Sequence, residues 1–434
     1  MRARYRLYSH EQLLVTTNHR SPALAPFAVR SFRFQWPADL MTSWAFEMEA
    51  LILGWFVLST TGSVQQLVIF GALAWLGSLF SPFFGVAGDR IGHRTMLCIT
   101  RGIYALLAAV LTLLTFANAL EAWHVFAISA LAGLMRPSDM VMRHALVGQT
   151  MRPDMLLGAL SISRTTSDTA RVAGALAGTG GVALIGMGPA YAIVTLMYVG
   201  AFVLSLKVAG APQIARDHEG KPPAATHPLA DLKEAFVYVW HKPALLGAFS
   251  MAFLVNLLAF PFFLGLLPYV AKDVYGIGQA GLGYLAAAFA SGALAGSLML
   301  SSNRLPLRAA RTMMLGGAAW FLAVLLFGQV KLLALGLVLL FAAGLVQSFC
   351  LTPLAVVMLR ASDDTMRGRV MGMRMLAIWG LPLGLLAAGP IIARIGYANT
   401  TLLYSGLGLA VTFAIGFGWR HVLWRREAPA NTFV

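Results

Sequence analysis

The residues best suited to do chemistry in this sequence are three charges within eight positions of an apolar stretch. Arg164, Asp168 and Arg171 lie in the segment ISRTTSDTARVAGALAG, residues 162–178. At about 100° per residue on a helix, the three side chains fall within roughly 60° of one another. Arg164 and Asp168 are spaced to pair with each other, which leaves Arg171 without a partner on its own helix. Such a face suits the wall of a polar cavity or contact with another charged helix.

A second apolar segment, residues 32–59, carries three carboxylates, Asp39, Glu47 and Glu49. If the segment crosses a membrane, Glu47 lies about 21 Å along it, near the middle, at ~1.5 Å per residue. An ionised carboxylate there costs ~2.5–3.5 kcal/mol, and burial favours the protonated form. A group of this kind could carry a proton across. Glu47 and Glu49 point about 200° apart, so both cannot face one cavity, and depth slightly favours Glu47.

Each charged group also has a structural explanation. Arg171 could form an ion-pair lock with a carboxylate of residues 32–59, or it could serve a substrate or a proton. Glu47 or Glu49 could instead face lipid headgroups or neutralise a structural cation.

Cys98 and Cys350 lie far apart in sequence, without the spacing of metal ligands. We therefore expect no metal and no other cofactor.

The elements that position these residues are transmembrane helices. The chain has 434 residues, of which 59% are hydrophobic and 11% charged, whereas soluble domains average roughly 25% charged residues. Long stretches are continuously apolar instead of alternating, which indicates helices and not a β-barrel. The sequence predicts an all-α membrane protein with about twelve spans, near residues 33–60, 64–85, 95–118, 122–143, 157–184, 189–208, 243–268, 279–301, 309–328, 332–358, 370–393 and 399–420.

Lys and Arg are concentrated on one side of these spans. With both termini cytoplasmic, that side holds nearly all of the 32 Lys and Arg residues, as the positive-inside rule requires. Only Arg164 and Arg171 then lie within spans. The net charge of +15 fits contact with anionic membrane lipid and predicts no nucleic-acid partner. The cations on the outer side are Lys272, Lys331 and Arg394.

The chain divides into two similar halves. The triplet TMR occurs at residues 150–152 and again at 365–367, and Gly174–Ala175 corresponds to Gly389–Pro390 at the same offset. A repeat of six spans is characteristic of secondary transporters. The predicted parts are a cytoplasmic arm (1–31), a six-helix half (32–208), a central cytoplasmic loop with an amphipathic helix in residues 228–242 (209–242), a second six-helix half (243–420) and a cytoplasmic tail (421–434).

Two motifs carry a family resemblance. The segment GVAGDRIGHR, residues 85–94, resembles the loop after span two in the major facilitator superfamily. The segment ARVAGALAG, residues 170–178, is similar to span five of the drug and siderophore exporters grouped with enterobactin exporters and macrolide efflux pumps, with Ala175 in place of their Pro. The positions that match the loop motif are Gly85, Asp89, Arg90, Gly92 and Arg94, and His93 stands where a cation is usual.

The resemblance implies a cytoplasmic latch built on the loop of residues 85–94. In that family the carboxylate at Asp89 would cap the start of span eleven, where Arg367 and Arg369 are candidate partners. His93 would face an acid near the inner end of span four, for which Asp139 is the candidate. An imidazole there either makes the latch sensitive to pH or acts as a neutral hydrogen-bonding group.

The resemblance also implies a function. We expect a proton-coupled exporter of a small amphipathic compound, either drug-like or a siderophore, working by alternating access in a bacterial inner membrane. A proton-coupled importer of a small metabolite is the alternative, and a membrane-embedded enzyme or lipid-handling protein is a more distant one. The expected partners are the substrate, protons and membrane lipids, and the expected state is a monomer.

Overall fold

The computed structural model describes residues 22–209, 228–301, 308–363 and 366–423, and these ranges contain helices and no β-strand. This confirms the predicted all-α architecture. Short 3-10 turns cover Pro22–Ala28, Leu76–Phe80 and Ala377–Trp379, and a π-helical turn covers Val270–Val274. The helices are α1 (Arg30–Thr61), α2 (Val64–Leu73), α3 (Ser81–Ile91), α4 (His93–Phe116), α5 (Ala122–Thr150), α6 (Pro153–Ile185), α7 (Met187–Ser205), α8 (Pro228–His241), α9 (Pro243–Leu258), α10 (Pro261–Leu264), α11 (Leu267–Tyr269), α12 (Gln279–Ser301), α13 (Ala309–Gln329), α14 (Leu333–Ala361), α15 (Arg367–Leu376), α16 (Gly380–Ile395), α17 (Tyr397–Gly418) and α18 (Arg420–Leu423).

Nine helices in the described ranges are long and apolar enough to cross a membrane, or ten if the bent pair of α8 and α9 counts as one span. Each of the twelve predicted spans is helical, but spans two, five and seven are not among these nine helices. Span two is broken between α2 and α3 by the turn Leu76–Phe80. Span five is the 33-residue helix α6, whose charged face lowers its mean hydropathy. Span seven stops at Leu258 and continues as short helices, because prolines interrupt its backbone hydrogen bonds.

The helices pack around two principal apolar cores. One core lies among α1, α2, α4, α5 and α7 and includes Ile52 and Tyr191. The other lies among the helices from α8 to α17 and includes Trp320 and Leu354. Val68 of α2 belongs to the second core, so the two groups of helices meet there. This arrangement agrees with a division at the central loop, whose exact boundaries stay a prediction.

The two ends of the helical bundle differ in charge. We call the end where α1 begins the Arg-rich end, because the helix ends around the α3–α4 and α14–α15 connections there carry Arg90, Arg94 and Arg360. The opposite end is the Arg-poor end. There, Lys272 Nζ donates to the Leu58 carbonyl at 3.2 Å. This bond joins the end of α1 to the chain after α11 and connects the two groups of helices.

The predicted amphipathic helix in the central loop is α8, which meets α9 at a bend of 112°. Ala235 and Val239 are buried against the bundle. Phe236 and Trp240 are exposed, and their ring centroids are 5.8 Å apart in a stacked arrangement. The buried and exposed apolar residues lie on different faces, which suits a helix held between the protein and the membrane surface.

Candidate functional site

The charged face of α6 forms a chain of ion pairs with α1. Arg164 Nε lies 3.2 Å from Asp168 Oδ2, in the geometry expected from their spacing. Arg171 Nη1 lies 3.8 Å from Asp168 Oδ1, and Arg171 Nε lies 3.5 Å from Glu47 Oε1. Asp168 is buried, whereas the side chains of Arg164, Arg171 and Glu47 are 62%, 40% and 27% exposed. The structure thus brings a carboxylate of α1 to Arg171, at a position that solvent or a ligand can reach.

Two glycines allow α6 to approach α1 closely enough for these pairs. A Cβ atom on Gly174 would lie 2.8 Å from the Glu47 Cβ, and one on Gly178 would lie 2.8 Å from the Met48 Cα. Such distances are too short for any larger residue without movement of a helix. A hydrogen bond of 2.8 Å from Trp36 Nε1 to Thr166 Oγ1 joins the same two helices nearer the Arg-rich end.

Glu49 lies on the opposite side of α1, as its spacing from Glu47 requires. The Tyr198 hydroxyl donates to Glu49 Oε2 at 2.7 Å, and the Tyr191 hydroxyl donates to Oε1. Both tyrosines are almost fully buried and belong to α7. Glu49 is therefore held in the interior of the amino-terminal group of helices, away from the charged face of α6.

Asp39 belongs to a separate, buried cluster. Arg101 of α4 has no exposed surface and donates through Nη2 to Asp39 Oδ1, through Nε to Asp139 Oδ1 at 3.1 Å and through Nη1 to Ser205 Oγ at 2.7 Å. Complete pairing of this kind suits a structural role, because a buried charge without its partner is costly. Asp139, the acid expected to face His93, therefore pairs with Arg101.

Some of the arginines that were assigned to loops from the sequence lie well inside helices. Arg101 is fully buried in α4. Arg136 of α5 is sandwiched between aromatic rings, with Cζ 3.2 Å from the Phe46 centroid and 3.9 Å from the Trp75 centroid. The inference that only Arg164 and Arg171 lie inside spans is therefore wrong. It failed because arginines in the outer turns of a predicted span were counted with the neighbouring loop, although the helix continues through them. Arg143 of α5 and Arg374 of α15 are further examples.

The latch residues lie around the Arg-rich end. Gly92 takes a positive φ of 96° between α3 and α4, a conformation that favours glycine. Arg94 Nη2 donates to the Leu206 carbonyl at 2.5 Å, and His93 Nδ1 lies 3.1 Å from Gln149 Nε2. The side chain of Asp89 lies outside the described part of the structure.

The two arginines expected to face Asp89 have other contacts in the described ranges. Arg369 Nη1 lies 2.8 Å from Glu234 Oε2 of α8. Arg367 Nε donates to the Leu359 carbonyl at 3.3 Å. These contacts connect the start of α15 to α8 and to the end of α14. The pairing of Asp89 with either arginine stays a prediction.

A cavity of about 490 Å³ lies between α6 and α12. Its walls include Thr169, Val172 and Leu176 of α6 and Leu294 and Leu298 of α12. These α6 positions point roughly 100° away from the charged face, at ~100° per residue. Leu176 and Leu298 are also exposed on the outside of the bundle. The cavity is an apolar cleft distinct from the ion-pair chain.

Long apolar helices enclosing charged clusters define a multi-pass membrane protein, and comparison with known proteins assigns its family. The family model described as Major Facilitator Superfamily matches residues 36–382. The chain therefore belongs to the major facilitator superfamily, and it is a multi-pass membrane transporter of that fold.

Relatives and solved structures agree with this assignment. The chain is 27% identical over 382 residues to the multidrug efflux pump Tap of Mycobacterium tuberculosis and of Mycobacterium bovis, covering 84% of this chain and 88% of the relative. Its fold is similar to the POT family transporter PepTSo (TM-score 0.72, 13% identity, 92% and 99% of the two chains). It is also similar to an inward-facing bacterial homologue of the human lysosomal transporter Spinster (TM-score 0.70, 15% identity, 92% and 99%).

Proposed function

We propose that this protein is a secondary active transporter that exports a small amphipathic compound in exchange for protons, by alternating access. The observation that carries the proposal is the Glu47–Arg171 pair, a membrane-embedded carboxylate that is ion-paired and still partly exposed. The similarity to the efflux pump Tap over 84% of the chain supports export. Glu47 and the charged residues of α6 supply carboxylates and guanidinium groups, which fit transport better than nucleophilic catalysis.

Glu47 is the proton-binding residue in this proposal. Asp39 is paired with a buried arginine, and Glu49 is enclosed by two tyrosine hydroxyls. Glu47 has one ion-pair partner and 27% of its side chain exposed. Protonation of Glu47 weakens its attraction to Arg171. Arg171 then still has its contact with Asp168. One proton can therefore change the contact between α1 and α6 without leaving a buried charge unpaired.

The contacts between the two groups of helices favour an opening toward the Arg-rich end. Lys272 binds the Leu58 carbonyl at the Arg-poor end. Near the same end, α12 packs so closely on α6 that a Cβ on Gly283 would overlap the Thr179 hydroxyl. Arg164, nearer the Arg-rich end, is 62% exposed. The proposed site is thus reached from the Arg-rich end, which we place in the bacterial cytoplasm together with both termini.

Transport into inside-out vesicles with an imposed pH gradient tests this function. Ethidium uptake should depend on the gradient and should stop when a protonophore is added. Glu47→Gln should lower gradient-driven uptake to the level that remains in the wild type when the protonophore is present. Glu49→Gln should retain coupling. Asp273→Asn, which removes an exposed carboxylate near the Arg-poor end, is the matched control. If uptake by Glu47→Gln still depends fully on the pH gradient, Glu47 is not the proton-binding residue. The same conclusion follows if this dependence is lost in Glu49→Gln alone.

A further inference from the structure

Helix α8 leaves part of its apolar surface outside the protein. Phe236, Val237 and Trp240 are exposed, and the rings of Phe236 and Trp240 stack with their centroids 5.8 Å apart. At ~100° per residue, these three side chains and that of Lys233 fall within about 100° of one another on the helix. We call the surface formed by these four residues the outer face of α8. Large apolar side chains that are clustered on a surface mark a contact with another molecule or with a membrane.

The other faces of α8 are occupied by contacts within the protein. Ala235 and Val239 are buried against the bundle. Glu234 Oε2 lies 2.8 Å from Arg369 Nη1. Lys233 differs from Glu234, because it is exposed and forms no ion pair within the part of the chain that the structure describes. The outer face therefore combines an apolar surface with a cation whose charge the protein does not neutralise.

The connection of α8 to α9 gives its orientation relative to the membrane. α9 forms the first part of span seven, and α8 meets it at a bend of 112°. A helix that turns by this angle from a membrane-crossing helix lies closer to the plane of the membrane than to its normal. The contact with Arg369 at the start of α15 places α8 at the Arg-rich end. Helix α8 therefore lies at the level of the lipid headgroups that surround this end of the bundle.

We propose that the outer face of α8 binds anionic lipid of the adjoining leaflet, with its three apolar side chains among the acyl chains and Lys233 at a lipid phosphate. An amphipathic helix binds a membrane through its buried apolar area and through attraction to anionic lipid. Each Lys or Arg near such a surface adds to the attraction. The Trp240 ring suits this position, because tryptophan is enriched where the apolar core of a membrane meets its headgroups.

Lipid on the outer face also holds the connection between α14 and α15. Glu234 binds Arg369 at the start of α15, and Tyr238 and Lys242 bind Asp363 just before it. These polar contacts lie on a different side of α8 from the outer face. A movement of α15 must therefore carry α8 along the membrane surface or break these contacts. Anionic lipid thus stabilises the observed position of the start of α15, whichever direction transport takes.

Amide hydrogen exchange of α8 in lipid nanodiscs tests the proposal. The full chain is placed, one copy per disc, in phosphatidylcholine alone or mixed with phosphatidylglycerol, which excludes a second copy as the occupant of the outer face. Wild-type α8 should exchange about fivefold more slowly in the anionic mixture, the effect of one basic residue near an anionic surface. Lys233→Gln should lose this difference and should match the wild type in phosphatidylcholine, which also shows that it folds. Lys331→Gln, which removes an exposed lysine at the Arg-poor end, is the matched control and should keep the difference.

Two further variants separate the apolar contact from the charged one. Trp240→Ser should speed exchange of α8 equally in both lipid mixtures, because insertion of the ring does not depend on lipid charge. Glu234→Gln should keep the lipid effect on α8 and reduce the accompanying effect on the start of α15. Equal wild-type exchange in the two mixtures, or a lipid effect that persists in Lys233→Gln, overturns the anionic-lipid site. Unchanged exchange in Trp240→Ser overturns insertion of the outer face into the membrane.

Discussion

Arg171 Nε lies 3.5 Å from Glu47 Oε1, and this pair joins the charged face of α6 to α1. The same guanidinium lies 3.8 Å from Asp168 Oδ1. Arg171 is therefore shared between two carboxylates of unequal exposure, one buried and one accessible. In the proposed mechanism Glu47 is the carboxylate that exchanges protons, because it is the accessible one of the two.

Replacing Arg171 should weaken gradient-driven transport. In Arg171→Gln, Glu47 loses the cation that lies 3.5 Å from it, and the contact between α1 and α6 no longer depends on an ion pair. Arg171→Lys keeps the positive charge and should retain more of the transport. Gradient-driven uptake into inside-out vesicles, measured for both variants, checks this expectation. Wild-type uptake in Arg171→Gln would show that the pair does not control transport.

The close approach of α6 to α1 should be essential for the same pair. A side chain on Gly174 would overlap Glu47, with Cβ atoms 2.8 Å apart, whereas Gly180 has nothing within 4 Å of its Cβ position. Gly174→Val should therefore push the helices apart and destabilise the protein by about 1–3 kcal/mol, the usual cost of overpacking. Gly180→Val is the control and should behave like the wild type. Thermal unfolding in detergent and gradient-driven uptake measure the two effects. Equal behaviour of both variants would contradict this role of Gly174.

Local spacing predicted those parts of the site that depend on one helix. The i,i+4 spacing of Arg164 and Asp168 predicted their pair, and the angle between Glu47 and Glu49 predicted their opposite directions. Apolar stretches also predicted where the helical segments lie. These features follow from helix geometry, which requires no knowledge of how helices pack.

Contacts between distant helices were not predictable in the same way. Arg101 binds carboxylates on α1 and α5, and no local pattern identifies those partners. Its position near a span end suggested a loop, because the hydropathy of a segment does not show where a helix continues beyond its apolar centre. Tyr191 and Tyr198 are seven residues apart and so share one face of α7, a signal that could have indicated a polar partner.

The buried Arg101 cluster should matter for stability. Arg101→Met leaves Asp39 and Asp139 buried without their cation, and breaking a buried ion pair costs about 3–5 kcal/mol. The triple variant Arg101→Met, Asp39→Asn, Asp139→Asn removes all three charges and should be more stable than Arg101→Met alone. Chemical unfolding in detergent gives both free energies. If the triple variant is the less stable of the two, then uncompensated charge is not what destabilises Arg101→Met.

The contact between α8 and the chain after α14 should depend on pH at both extremes. Lys242 Nζ lies 3.0 Å from Asp363 Oδ2, and the Tyr238 hydroxyl donates to the same oxygen at 2.8 Å. The Lys242 and Tyr238 hydrogen bonds lower the pKa of Asp363, and those with Tyr238 and Asp363 raise the pKa of Lys242.

The direction of each shift sets the pH window of this contact. The contribution of Asp363 is complete above its ordinary pKa of ~3.9 and is lost as pH falls through the lower folded value. The contribution of Lys242 is complete below ~10.4 and is lost as pH rises through the higher folded value. Amide hydrogen exchange of α8, corrected for the intrinsic pH dependence, should show constant protection between these limits. Asp363→Asn should lower protection within that window and remove the acidic transition, and an acidic transition that persists in this variant would show that another group causes it.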